Sequence, residues 1–431
     1  MKKVLIITYY WPPSGGAGVQ RWLKFSKYLP SFGIEPYILT VDSRYASYPQ
    51  KDEGLADDVP RDLKVYRTRS FEPLNLISGL LGKDKMPYGG FSNVNKNSVL
   101  QTILRFIRGN FFIPDARKGW NRYAWKKAAG LIHRYNIPTV ITTGPPHSTH
   151  LTGLKLKKKL GIEWIADFRD PWTDIYYYAD MLHTPLARRI DGSNEKRVLE
   201  TADKIIVNCR SNKKLLESKI DAKETGKFSV ITNGYDEDDF SDQAPKYPAP
   251  SDEFVITYSG TMSEHYRPGV FFSVLSKLVE KNRDVKFRFT LAGNLSASAE
   301  RQIKEYGIYD IFDYPGYISH PKLVGLLKSS SALLYLFPET VHDKGVAGKL
   351  FEYLAVKKPV IAIGPGDSDA AAIIDECGAG RNFARAEEQL LFEYLEELVR
   401  DFKTNGQTEA GNDNHLNYTR KKLTSLLARL I

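Results

Sequence analysis

Runs of β-branched and aromatic residues recur along this chain, with room for a helix between most of them. In the first half they are KVLIIT (3–8), EPYILTV (35–41), LKVYRT (63–68), PTVITTG (138–144), EWIADF (163–168), DKIIVNC (203–209) and FSVITNG (228–234). Gly, Pro or Asn closes most of them, as expected of strands. Helical patterns such as VQRWLKFSKYLPSFG and LTGLKLKKKLG lie between them. That alternation predicts a parallel sheet covered on both faces. The segment SDQAPKYPAPSD (241–252) has no periodicity and reads as a linker. Alternation resumes with EFVITYSG (253–260), KFRFTLAG (286–293), IFDYPGYI (311–318), SALLYLF (331–337) and KPVIAIG (358–364). At the end, NYTRKKLTSLLARLI sets Leu423, Leu426, Leu427 and Leu430 on one helical stripe.

The expected fold class is therefore α/β: two Rossmann-like domains, 1–240 and 253–410, facing each other across a cleft. The linker 241–252 joins them, and a C-terminal helix over 411–431 packs back toward the first domain. A length of 431 residues suits two cores better than one. Open sheets of this kind bind ligands at the carboxyl ends of their strands, so chemistry is to be sought in the loops that follow them.

Charge changes this picture for one half only. Residues 1–200 hold 31 Lys+Arg against 18 Asp+Glu, a net of +13, and the remaining residues net −3 of the total +10. Such asymmetry belongs to a half that meets a polyanion, either nucleic acid or an anionic membrane surface. In the segment 98–127, Leu100, Ile103, Leu104 and Ile107 share a helical face, with arginines and aromatics beside it, a pattern compatible with an anionic membrane surface. An ordinary sheet-covering helix has the same pattern. No apolar run is long enough to span a bilayer, and MKKVLIITYYWPP breaks into aromatics and prolines too early for a signal peptide. Cys209 and Cys377 fit no metal spacing and read as reduced thiols. The expectation is a cytoplasmic protein, free or peripheral on the inner face of the plasma membrane.

Three loops of the first half carry candidate chemistry. In YYWPPSGGAGVQRW, Gly15 and Gly16 let backbone N–H groups approach a phosphate or sugar where a helix begins, or simply make a tight turn. In TTGPPHSTHLTG, His147 is the contact candidate and His150 the packed residue. In IADFRDPWTD, Asp167, Arg169 and Asp170 crowd a strand end. Either an Arg169–Asp170 pair fixes that loop, or a carboxylate there orients an acceptor hydroxyl or stabilises positive charge at a reacting sugar carbon.

In the second half, Gly260 and Thr261 follow a strand, and Arg267 is suited to a diphosphate. Gly316 and Tyr317 offer backbone to a nucleobase edge. The acidic NGYDEDDF reads as a turn and a solvated entry to the linker rather than a metal site. The most informative stretch is GVAGKLFEYLA (345–355). Val346, Ala347 and their glycine neighbours lead into a helix whose N–H groups face an anion, and Lys349 adds a charge that is unfavourable there unless a phosphate neutralises it. Glu352 lies one turn on and can accept from a ribose diol. Together they read as a grip on a nucleoside diphosphate.

With those motifs in view, the chain resembles the retaining glycosyltransferases of the GT-B fold, specifically the group-4 family that builds bacterial polysaccharides. YYWPPSGGAGVQRWLKFSKYL, NGYDEDDF and GKLFEYLAVKKPVIAIG carry the resemblance over nearly the whole length. It implies a nucleotide-diphosphate sugar held by the C-terminal domain, a lipid-linked or saccharide acceptor held by the N-terminal one, and no required cofactor, metal or nucleic acid. Glu352 matches the second glutamate of the family's paired motif, and the first is replaced by Lys344, leaving Asp343 or the backbone of 345–347 to meet the sugar. Thr261 stands where the family usually has Arg, so Arg267 and Lys349 become the diphosphate cations. Where many members have a His-Asp pair, this chain has Asp167 and Asp170. Two other functions fit the same shape: a nucleotide-sugar epimerase, and a catalytically silent donor-binding subunit of an assembly complex.

Overall fold

The computed structural model describes residues 1–48, 51–72, 99–175, 177–241, 252–338, 345–406 and 408–431. The expected linker falls mostly outside them, as do Asp343 and Lys344. The chain divides into two compact units, Met1–Thr232 with Arg420–Ile431, and Asn233–Thr419.

In the first unit the apolar runs form β1 (Lys2–Ile7), β2 (Ile34–Val41), β3 (Lys64–Thr68), β4 (Thr139–Gly144), β5 (Glu163–Phe168), β6 (Lys204–Val207) and β7 (Phe228–Val230). They make one parallel sheet in the order β3-β2-β1-β4-β5-β6-β7. Alternate side chains feed separate cores on its two faces. Leu5, Ile7, Leu39, Val140, Trp164, Ala166 and Ile205 fill one, and Val4, Ile6, Ile38, Ile141, Ile165 and Ile206 the other. Both layers are apolar because a parallel sheet is covered on both sides, which is why these strands read as continuous runs.

The helix Ala17–Tyr28 covers the second face through Val19, Trp22, Leu23 and Phe25. The C-terminal helix, Arg420–Ala428, joins that layer. Its buried stripe is Leu423, Leu427 and Ile431, spaced by four. Leu426, expected on that stripe, is 36% exposed. The preceding residues Asp413–Tyr418 form a 3₁₀ turn, so the helix is shorter than 411–431.

The second unit holds β8 (Glu253–Met262), β9 (Lys286–Leu295), β10 (Phe312–Gly316), β11 (Ala332–Leu336), β12 (Val360–Ile363) and β13 (Gly380–Phe383), parallel in the order β10-β9-β8-β11-β12-β13. Its core gathers Phe254, Ile256, Tyr258, Phe289, Leu334 and Ile361 with helix residues such as Phe271, Leu275 and Leu395. Residues 233–240, expected with the first domain, belong here: Tyr235 N–H donates to the Tyr418 carbonyl at 3.1 Å, and its ring stacks on His415. Asp236, in the acidic stretch, caps the turn Glu237–Phe240 by accepting from the Asp238 N–H. In each sheet the strand order reverses beside the first strand of the unit, at β1/β4 and β8/β11. Loops leaving such a reversal diverge and open a crevice.

Truncating Leu427 to Ala removes a side chain buried from all sides, and should lower unfolding free energy by about 2–5 kcal/mol in a urea titration. Leu426→Ala should change it by less than about 1 kcal/mol. Equal losses at the two positions would contradict this placement of the helix.

Candidate functional site

Loops at the reversal of the first sheet are bound together by two arginines. Asp167 points from β5 into the layer of Ile165 and Ile206, a place where an unpaired carboxylate would be costly. Helix Ala17–Tyr28 answers it. Arg21 Nη2 donates to Oδ1 at 2.9 Å and Nε to Oδ2 at 3.3 Å, and Trp22 Nε1 donates to Oδ2 at 2.8 Å. Thr143 Oγ1, opposite Asp167 in the β4–β5 register, adds a bond of 2.9 Å. Arg21 goes on to the carbonyls of Ile231 and Thr232 at the exit from β7. Arg21 and Asp167 are both 0% exposed. The carboxylate expected near a reacting carbon is thus an interior anchor.

The second arginine, Arg169, gathers backbone carbonyls. It donates to Gly18 at 2.7 Å, to Gly144 at 3.2 Å and to Pro145. This ties the glycine loop after β1 to the loop after β4, and it explains Gly18: a Cβ there would lie 2.4 Å from Arg169 Nη1. Gly16 starts the helix with φ +93°, a left-handed setting natural to glycine, and is exposed, while Gly15 is half-buried. Burial pulls Arg169 below the usual arginine value, and the charge of half-buried Asp170, in the next position, opposes that shift.

His147 and His150 form an aromatic stack with the β5 exit. His147 lies parallel to Trp172 at 5.1 Å and His150 against Phe168 at 4.5 Å. Trp172 is held in turn by its Nε1–H bond to Asp191 at 2.8 Å. His150 pairs with Thr142 Oγ1 at 2.9 Å, whereas neither nitrogen of His147 meets a partner among the described residues. Burial holds both rings neutral, pushing His150 down to about 3 and His147 well below the usual histidine value.

The second unit builds its site around Lys349. The helix Lys349–Ala355 is fixed to the sheet by Tyr353, whose hydroxyl accepts from the Ser259 N–H at 2.9 Å and donates to the Leu334 carbonyl at 3.2 Å. One turn earlier Lys349 Nζ lies 3.7 Å from the centre of the Tyr258 ring, with Tyr335 at 5.6 Å and Tyr266 at 5.7 Å. Among the described residues no carboxylate pairs with it. Burial pushes the ammonium down to about 7, against which the π face of Tyr258 acts as a partial counter-charge.

Gly260 and Thr261, expected after a strand, lie within β8, which runs on to Met262; Gly260, at φ +106°, sits beside this ammonium, and its Cβ would lie 4.0 Å from Nζ. Thr261 is half-buried, and its carbonyl accepts from Tyr258 Oη at 2.9 Å. The Ala347 N–H, expected to face an anion, donates instead to Tyr335 Oη at 3.0 Å. Val346 is buried, and Arg267 is exposed directly after Tyr266, at φ 41°.

Glu352, one turn beyond Lys349, does not pair with it. Its Oε1 lies 3.2 Å from His320 Nε2, both side chains being 16% exposed. His320 begins the helix His320–Ser329, three residues after the exposed Tyr317 and four after Gly316, whose φ is +68°. The short helix thus links the β8/β11 exits to the β10 exit. His320 and the tyrosine cage escaped the sequence reading. Tyr258 and Tyr335 sit inside apolar strand runs, where an aromatic ring reads as core.

Comparisons with known proteins can now be set beside this geometry. The family model for glycosyl transferases group 1 matches residues 239–409, the span that holds the Lys349 cage and the Glu352–His320 pair. No curated protein matches the chain by sequence. Solved structures match it from end to end. Sucrose-phosphate synthase from Thermosynechococcus elongatus is 14% identical, covering 100% of this chain and 98% of its own, at a TM-score of 0.55. WaaG, a glycosyltransferase involved in lipopolysaccharide biosynthesis, is 13% identical, with 99% of each chain covered, at 0.55. UDP-GlcNAc 2-epimerase from Methanocaldococcus jannaschii is 11% identical, covering 100% and 99%, at 0.53. The fold is the two-domain GT-B arrangement of α/β units.

Two outcomes follow from the geometry. Asp167→Ala would leave Arg21 buried without its carboxylate and should cost about 3–5 kcal/mol in a denaturant titration; a loss under about 1 kcal/mol would contradict the anchor. Lys349 titrates near 7 when folded against an ordinary 10.5, so between those values the unfolded chain binds more protons than the folded one. Stability of the unliganded protein should therefore carry a component that rises with pH from about 7 to about 10.5. Lys349→Met should remove that component in parallel melts, and a profile unchanged by the substitution would contradict the desolvated amine.

Proposed function

We propose that this chain, whose residues 239–409 match the group 1 glycosyl transferase model and whose fold is that of GT-B structures, is a glycosyltransferase that moves a sugar from a nucleotide diphosphate to a hydroxyl of a lipid-linked or polysaccharide acceptor, with retention of anomeric configuration. One observation carries the donor assignment: Lys349 holds an ammonium group in a tyrosine cage without a carboxylate among the described residues. A diphosphate supplies the missing anion, and Lys349 with Arg267 stabilises the negative charge that grows on it as it leaves. Glu352, steadied through Oε1 by His320, accepts from the ribose diol. Gly260 and Thr261 bring backbone close to the diphosphate, and Gly316 and Tyr317 meet the base.

In the first unit, Gly15 and Gly16 border the acceptor, with Asp170 and the neutral His147 ring as the polar groups near it. Asp167 acts by positioning, through Arg21 and Trp22. In the reaction the bond from the anomeric carbon to the diphosphate breaks, and the acceptor oxygen takes its place on the same face. The acceptor proton passes to the departing phosphate oxygen. The basic first half holds the enzyme near the anionic surface where a lipid-linked acceptor resides.

Supplied with the matching sugar nucleotide and acceptor, purified protein should form a product with the donor's anomeric configuration, read by NMR coupling constants. Lys349→Ala should lower kcat/KM by roughly 10²–10³-fold, and Glu352→Ala should act mainly on donor KM. An inverted product would overturn retention. Unchanged kinetics in both variants would overturn the donor site, and conversion of free donor to its epimer without an acceptor would favour the epimerase reading.

A further inference from the structure

Two surface helices of the first unit expose apolar side chains that no core claims. On Val99–Phe111, Ile103 is 50%, Phe106 43% and Phe111 67% exposed, while Arg105 turns inward to Asp180. On Pro185–Thr201, Leu186 is 68% and Ile190 44% exposed.

The two helices are locked to one another. Asn110 Nδ2 donates to the Leu182 carbonyl at 3.1 Å, and Asn110 Oδ1 accepts from the Thr184 N–H at 2.7 Å. Gly109 lies so close to the Met181 carbonyl that a Cβ would stand 2.1 Å from it. These contacts set exposed Leu182 beside the Phe106–Phe111 turn and Leu186 just beyond, so the residues make one patch.

The charge around the patch is predominantly positive. Lys118, Arg122, Arg188, Arg189 and Arg197 are exposed, and Lys118 Nζ reaches the Phe111 carbonyl at 3.0 Å. The carboxylates in 99–123 and 180–200 are Asp180, paired with Arg105, Glu200, paired with Lys196 at the far end of the second helix, and Asp115, Asp191 and Glu195. Asp191 and Glu195 are 1% exposed, and Asp115 is bound to the backbone and hydroxyl of Ser148.

From this we infer that the helices Val99–Phe111 and Pro185–Thr201 form a docking surface for an anionic lipid bilayer, with Ile103, Phe106, Phe111, Leu182, Leu186 and Ile190 entering the headgroup boundary. Apolar side chains on a predominantly cationic background are what an interfacial helix presents to anionic lipid. A second copy of the chain would oppose one positive patch with another, which disfavours a symmetric dimer through this face. Among the described residues no helix is long and apolar enough to cross a membrane, so the contact is one of surface docking. The inference does not rest on the donor site.

Co-sedimentation with vesicles tests it. The full chain should bind phosphatidylglycerol-containing vesicles at least tenfold more tightly than pure phosphatidylcholine vesicles, and lose that preference in high salt. Phe106→Ser with Leu186→Ser should reduce binding at least tenfold, while Leu390→Ser, an exposed leucine of the second unit, leaves it unchanged. Arg188→Ser with Arg189→Ser should weaken binding to anionic vesicles alone. The inference is overturned if anionic and neutral vesicles bind equally, or if the double substitutions leave binding intact. It is also overturned if sedimentation velocity shows a dimer that Phe106→Ser with Leu186→Ser dissociates.

Discussion

An ammonium group pressed against a tyrosine ring, with no carboxylate to answer it among the described residues, is the constraint from which the donor assignment follows. Three segments converge to create it: Tyr258 lies within β8, Tyr335 is next to last in β11 and Tyr266 closes the 3₁₀ turn after β8. Ring faces lower the cost of a desolvated cation without cancelling it. A lysine so placed is poised between its charged and neutral forms, and the proposed donor site would have a diphosphate tip it to the charged one. Tyr353 holds the supporting helix to β8 and β11, so the position of the ammonium is set by the sheet itself.

The first unit solves an opposite problem. There a carboxylate, Asp167, is buried in an apolar layer, and the fold supplies an arginine, an indole and a hydroxyl to it. That pairing locks the helix after β1 to β5 and, through Arg21, to the end of β7. Arg169 then draws the loops after β1 and β4 together through their carbonyls. The result is a rigid border of backbone, glycine and aromatic rings at the reversal of the sheet. Such rigidity is what an acceptor hydroxyl requires if it is to be aligned with a reacting carbon.

Much of the architecture was legible because parallel strands must be apolar on both faces. Every run named from the sequence is a strand, whereas β13, with the sequence GRNF, was missed because Phe383 is its one large apolar residue. The C-terminal stripe was drawn through Leu426, which lies within the helix yet is 36% exposed, whereas Ile431, beyond the helix end, is packed. The chemistry was harder to read. Lys349 and Glu352 were visible as a pair one turn apart, yet their partners come from elsewhere: tyrosines on other strands for one, His320 for the other. Asp167 was a catalytic candidate because it crowds a strand end with Arg169 and Asp170, and only the three-dimensional pairing with Arg21 shows that its charge is already answered. Charged residues announce themselves in a sequence, but which of them are already neutralised is decided by distant segments.

The central claim is that an empty, largely neutral Lys349 becomes cationic when a nucleoside diphosphate binds. Calorimetric titration with UDP, GDP and ADP at pH 8, repeated in two buffers of different ionisation heat, measures protons taken up on binding. The account predicts that the diphosphate that binds does so with uptake approaching one proton, and that Lys349→Met abolishes the uptake together with most of the affinity. Binding with no proton uptake, or uptake that persists in Lys349→Met, would contradict it.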